Sequence, residues 1–153
     1  MNKYDLIEEV KKYFAIQELV CAHTFQRFGE GAWRFLDTRL LECLLVVRRD
    51  ILKVGLVCND YNFGGSNTQR GLRCNICPLV KSKTNTSKCY QSAHLHGKAV
   101  DLVSAKMTAG QMRELIKANA DKLPHQVRLE DGVTWLHLDV ENDTNSKVIL
   151  FKA

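Results

Sequence analysis

The sequence predicts an α+β fold, a single domain in which a small antiparallel sheet is flanked by helices. Three observations lead to it. The first third of the chain carries apolar residues at helical spacing, the last third carries short β-branched or alternating runs divided by turn residues, and one further helical segment lies between them. At 153 residues and 45% hydrophobic content the chain has the size of one domain and buries a core without covalent staples. It divides into an N-terminal helical part over about residues 1–50 and a part over about 53–153 that holds the chemically informative motifs.

Residues 4–14 read as a short amphipathic helix. Asp37 is a good N-cap for a second, running from about Thr38 to Asp50, with Leu40, Leu41, Leu44, Leu45 and Val47 on its apolar side. Lys53–Cys58 is apolar and partly β-branched and reads as a strand, followed over 59–91 by a long loop rich in Gly, Asn, Ser and Thr. A loop of that length in a small domain is usually functional. Thr108-Ala109-Gly110-Gln111 has the pattern of a capping box, and Met112, Leu115, Ile116 and Ala120 give the helix after it a buried stripe. Gln126–Glu130, Thr134–Val140 and Lys147–Phe151 read as strands, the first two joined by a turn at Asp131-Gly132.

Composition narrows the function classes only mildly. A net charge of +5 favours anionic polymers such as nucleic acid or cell-wall material and does not choose between them. Glu8, Glu9, Lys11 and Lys12 interrupt any signal-peptide core, and no segment is long enough to span a bilayer. The expectation is a protein made in the cytoplasm without membrane insertion, its six cysteines reduced. Cys74-x-x-Cys77 with Cys89 invites a zinc site, to be completed by Cys58 or a histidine, but one CxxC in a reduced protein is more often a pair of semi-buried thiols. A second zinc there is therefore not expected. Cys21 and Cys43 read as core, and His23 as packing beside Trp33 and Phe35. A zinc-ribbon nucleic-acid binder is disfavoured because aromatic and basic residues do not interleave around these cysteines.

The most informative segments are Ser92-Ala93-His94-Leu95-His96-Gly97-Lys98-Ala99-Val100-Asp101 and Trp135-Leu136-His137-Leu138-Asp139. Three ligands of mixed His/Asp type leave the fourth position of a tetrahedral zinc to water, the arrangement of a hydrolytic centre. On an extended segment Trp135, His137 and Asp139 share one face, while Gly97 lets the backbone turn closely between a loop ligand and a strand ligand.

Ser92-x-His94-x-x-Gly97-x-Ala99-x-Asp101 with aromatic-x-His137-x-Asp139 resembles the zinc D-Ala-D-Ala carboxypeptidase family, which shares its fold with hedgehog signalling domains and includes phage L-alanyl-D-glutamate endopeptidases. Gly64-Gly65-Ser66-Asn67-Thr68-Gln69-Arg70-Gly71 resembles the arginine-bearing segment of that family more loosely. The resemblance implies a hedgehog/DD-peptidase-like fold, one catalytic Zn2+ on His94, Asp101 and His137, and hydrolysis of an amide bond in peptidoglycan stem peptides by a phage or prophage lysis protein. It places Arg70 on a substrate carbonyl or carboxylate, with Arg73 close enough to be confused with it, and leaves Ser92 and His96 as substrate-side or ligand-orienting groups. Asp139 falls to supporting a ligand histidine.

The chain departs from the pattern at Thr134, where carboxypeptidase members commonly carry an acid three positions before the last histidine. Glu130, Asp131 and Asp139 are the available bases: Glu130 is favoured for its reach, and Asp131 matches the acid that hedgehog-like members carry about six residues before that histidine. Thr134 also keeps alive a non-catalytic zinc-binding virion or interaction module of the same fold.

Overall fold

The computed structural model describes residues 1–84 and 87–153. Helix α1 (Lys3–Val10) starts where the Asn2 side chain accepts the Asp5 amide, and it buries Leu6 and Val10. Short helices α2 (Ile16–Leu19) and α3 (Ala22–Phe28) follow, and then α4 (Thr38–Val46), whose first turn is capped by Asp37 accepting from the Arg39 amide. Leu40, Leu41 and Leu44 on α4 are fully buried, which makes this helix the centre of the platform. It runs on as π-helical backbone over Val47–Leu52 and stops at Lys53, the one non-glycine residue among the described residues with positive φ, 57°.

That left-handed stop has a consequence for the strand expected over Lys53–Cys58. The segment makes only an isolated bridge, Val57 to Val103. Nearby, the amide of Asp101 donates to the carbonyl of Arg70, so two separate segments share the outer edge of the first strand and neither extends along it. The loop expected over 59–91 contains a short helix, α5 (Pro78–Thr84); residues 85 and 86 lie outside the described residues.

The second part of the chain supplies β1 (Ala99–Leu102), α6 (Ala109–Ala118), β2 (Val127–Glu130), β3 (Leu136–Asp139) and β4 (Val148–Phe151). The capping box expected at Thr108 forms in both directions with Gln111. Strand order is β1-β3-β2-β4, with β1·β3 and β2·β3 antiparallel but β2·β4 parallel. The fold is thus α+β as expected, while the sheet is mixed rather than antiparallel. The reason lies in the edges: β1 and β2 occupy both sides of β3, so β4 pairs with the free edge of β2 and, running antiparallel to β3, comes out parallel to β2.

Register sorts the side chains onto two faces. Val100, Leu102, Val127, Leu129, Leu136 and Leu138 join the main apolar core with α1, α4 and α6. Asp101 opposite His137, and Arg128 opposite Asp139, share the other face. At 25 cal/mol/Å² a fully buried Leu or Val contributes about 1.5–3 kcal/mol, so the apolar face holds the sheet while the opposite face carries charge.

Candidate metal centre

His94 is placed by a 3₁₀ turn over Ala93–His96, started by Ser92, whose Oγ accepts the His94 amide at 3.3 Å. Gly97 closes that turn with φ 67°, and a Cβ there would meet the Phe35 carbonyl oxygen at 2.0 Å, so only glycine fits. The Asp37 amide donates to the Gly97 carbonyl, tying this loop to the start of α4. The chain then enters β1, and the register of β1 on β3 sets Asp101 across from His137.

His94, Asp101 and His137 are all buried, and one ligand atom from each lies within 4.8 Å of the others, a group able to hold a metal ion. His94 Nδ1–H donates to the Gly71 carbonyl at 2.9 Å, which leaves Nε2 facing Asp101 Oδ2 at 3.3 Å. That spacing suits two ligand atoms about 2.0–2.1 Å from one tetrahedral zinc. His137 contacts Asp101 Oδ1 through Nδ1 at 2.8 Å and Asp139 Oδ2 through Nε2 at 2.7 Å. Asp139, with no exposed surface, also accepts both Nε–H and Nη2–H of Arg128, and Arg128 stacks over Phe151 at 4.4 Å. A carboxylate anchored in this way fixes the ring of a ligand histidine.

The charges explain the affinity of such a group for a cation. Burial lowers the pKa of His137, but its hydrogen bonds with Asp101 and Asp139 outweigh that and raise it to about 9. Burial pushes Asp101 up, while His137 and His94 together hold it well below the ordinary carboxylate range. Two buried carboxylates thus keep a positive charge between them, the environment in which a divalent ion would be held in place of a proton.

A cavity of about 490 Å³ opens over the three residues and is lined also by Arg73, Ser92, Glu130, Trp135 and Arg128. Of the residues singled out in the sequence beside the three ligands, Ser92, Glu130, Arg73 and Trp135 border it. Asp131 is not among its lining residues; its amide donates to the Phe151 carbonyl. Arg70 lines an adjoining cavity of about 360 Å³ that shares Arg73, Asp101 and Trp135 with the first, and its guanidinium donates to the Cys58 carbonyl. Arg73 lies 3.6 Å from Asp101 Oδ2, in ion-pair contact with the cluster. His96 lies outside both cavities, hydrogen-bonded to Gln91 at 2.8 Å. Arg113 on α6 donates to the carbonyls of Glu130, Val133 and Trp135 and so pins the β2–β3 connection that forms one wall.

Sequence reasoning missed Arg128, although its two-residue spacing from Glu130 on a strand was a signal that both face the same way. It also missed a second group of ligands. Cys21, His23, Cys74 and Cys77 have ligand atoms within 4.8 Å of one another and can bind a metal ion such as zinc. Cys89, expected as the third cysteine of any such site, is exposed, accepts from the Gln91 side-chain amide and is not part of the group, whereas Cys21 and His23, expected as core and packing, complete it. Their chain distance from Cys74, about 50 positions, hid the association.

No family model matches the chain, and no curated protein or solved structure matches it. Among the described residues no helix is long and apolar enough to cross a membrane.

Proposed function

We propose that this protein is a zinc-dependent peptidase of hedgehog/DD-peptidase type that hydrolyses an amide bond in peptidoglycan peptides. The observation that carries the reading is the convergence of buried His94, Asp101 and His137 beneath a cavity that also presents Glu130 and Arg73. The donor set fits the ion: two imidazole nitrogens and one carboxylate, each oriented by a further hydrogen bond or a strand register, with open space on the fourth side. Zinc bound there supplies Lewis-acid polarisation of the scissile carbonyl and of the attacking water.

The protein groups do the remaining work. Glu130 takes the proton from the attacking water and delivers it to the leaving amine. Arg73, facing both cavities, stabilises the negative charge that develops on the carbonyl oxygen, and Arg70 holds a peptide carboxylate farther along the adjoining cavity. Arg128 and Asp139 act through His137, keeping its ring in one orientation. Trp135, about one-third exposed at the junction of the cavities, offers an apolar wall to the substrate.

The test is mass spectrometry of muropeptides from several peptidoglycan types, before and after incubation with the zinc-loaded protein and with the His137→Ala variant. Release of a defined fragment by the first alone supports the reading. Zinc bound with no cleavage of any type would replace it by a non-catalytic zinc-binding module.

A further inference from the structure

Outside that site, the densest set of metal-ligating groups lies where the platform meets the loop after residue 70. Val20 and Leu72 form a parallel bridge, with the Cys21 amide donating to the Leu72 carbonyl and the Leu72 amide to the Leu19 carbonyl. Gly71 permits this approach, since a Cβ there would meet the Leu19 carbonyl oxygen at 2.2 Å. Cys21 and His23 follow immediately on one side of the bridge, Cys74 and Cys77 on the other.

The distances among three of the ligand atoms are those of a coordination shell, and Cys21 Sγ lies within 4.8 Å of each. Cys74 Sγ and Cys77 Sγ are 3.8 Å apart, and His23 Nδ1 is 3.5 Å from the first and 3.8 Å from the second. A tetrahedral zinc with bonds of about 2.3 Å to sulfur and 2.0–2.1 Å to nitrogen separates its sulfurs by about 3.8 Å and sulfur from nitrogen by about 3.6 Å. The six cysteines are free thiols, so no disulfide competes for these atoms. Cys21 and Cys77 are buried, and two contacts support the sulfurs: Thr24 Oγ1 lies 3.2 Å from Cys21 Sγ, and the Cys74 amide donates to Cys77 Sγ at 3.4 Å.

The surroundings give such an ion a structural task. Apart from the main core, a small apolar cluster among the described residues joins buried Cys21, Cys77 and Val80, with Cys74, Tyr90 and Leu95 packed around them. That is little apolar surface to hold the stretch carrying Cys74, Cys77 and Val80 against the N-terminal helices. We infer that Cys21, His23, Cys74 and Cys77 form a closed, four-coordinate structural zinc site that fastens the stretch carrying Cys74 and Cys77 to the N-terminal helices. Binding converts three thiols to thiolates, releases three protons and uses His23 as the neutral imidazole, leaving no position for substrate. Because the Arg73 amide donates to the His94 carbonyl, the clamp also steadies the wall that carries Arg73 and His94.

The test uses the full chain. Elemental analysis after purification without chelator should find two zinc ions per chain, one of which remains in His94→Ala/His137→Ala. Cobalt titrated into that double variant, once a chelator has removed its zinc, should give sulfur-to-cobalt charge-transfer absorption with the d–d bands of a four-coordinate ion, and adding Cys74→Ser/Cys77→Ser to the same variant should abolish both signals. If the cysteine variant fails to fold, the cobalt spectrum of the histidine variant still decides. No metal in the histidine variant, or a cobalt spectrum without charge-transfer bands, would overturn the inference. The spectrum is independent of peptidase activity, so an inactive protein that shows it fails the proposed function and keeps this site.

Discussion

Cys21, His23, Cys74 and Cys77 meet at the seam between platform and loop and offer four ligand atoms, three of them sulfur, to one point. His94, Asp101 and His137 meet on the charged face of the sheet, offer two nitrogens and a carboxylate, and border a cavity of about 490 Å³. The difference lies in completeness and softness. Four ligands, three of them soft thiolates, would complete a tetrahedral ion and leave no position for substrate, whereas two imidazoles and a carboxylate would leave one where chemistry can occur. Each cluster also has its own support, a backbone bridge at Val20 and Leu72 in one case and, in the other, an ion pair between half-buried Arg128 and buried Asp139.

The sharpest break of the comparison is His137→Ala. It should bring peptide hydrolysis down to background and remove one zinc while the thiolate-bound ion stays; loss of both ions in elemental analysis would mean that the clusters are not independent. Next in size is Glu130→Gln, expected to lower kcat about 10²- to 10⁴-fold with both ions retained. Asp131→Asn serves as its control and should stay near the parent rate. A collapse in Asp131→Asn, with Glu130→Gln active, would transfer the proton-taking role one residue along.

These two carboxylates show how far sequence reading reached. Helix α6 was legible because its signals are local, Thr108 and Gln111 at a spacing of three and an apolar stripe behind them. His94, Asp101 and His137 were legible as a pattern of residue types. The parallel pairing of β4 was not, because it depends on which strand edge remains free after β1 and β2 have flanked β3. Nor was the partnership of Cys21 and His23 with Cys74 and Cys77, for which the sequence offers one visible half, a CxxC, and leaves the other to a bridge between distant segments.

A smaller effect separates the supports of the two clusters. Asp139→Asn keeps an acceptor for His137 but weakens the ion pair with Arg128, and should reduce zinc affinity at the open site about 10- to 100-fold while the cobalt–thiolate spectrum is unchanged. Competition with a calibrated chelator measures it.

The smallest expected change touches neither cluster. Asp37→Ala removes the cap of α4 and should cost about 1 kcal/mol in denaturant unfolding, with both metals bound as before. Burial raises the pKa of Asp37, but hydrogen bonds from the Arg39 side chain and amide outweigh it and leave the carboxyl below its ordinary value. The stabilisation is therefore fully present above the unfolded carboxyl's pKa, about 3.9, and fades as pH falls through the folded value. Parent and variant should converge in stability under acid, and an equal gap at all pH values would assign the cap's effect to something other than its charge.

The group that sets the tautomer of His94 is the carbonyl of Gly71, a backbone atom. An alanine scan reads side chains, so it would report Gly71 as a steric position, intolerant because of Leu19, and pass over its part in orienting the His94 ring. During divergence of such a protein the orienting atom itself cannot be mutated away; what selection must guard at that position is the absence of a side chain. Drift in the neighbouring loop is then free to alter residue types, provided the path of the backbone through this one point is preserved.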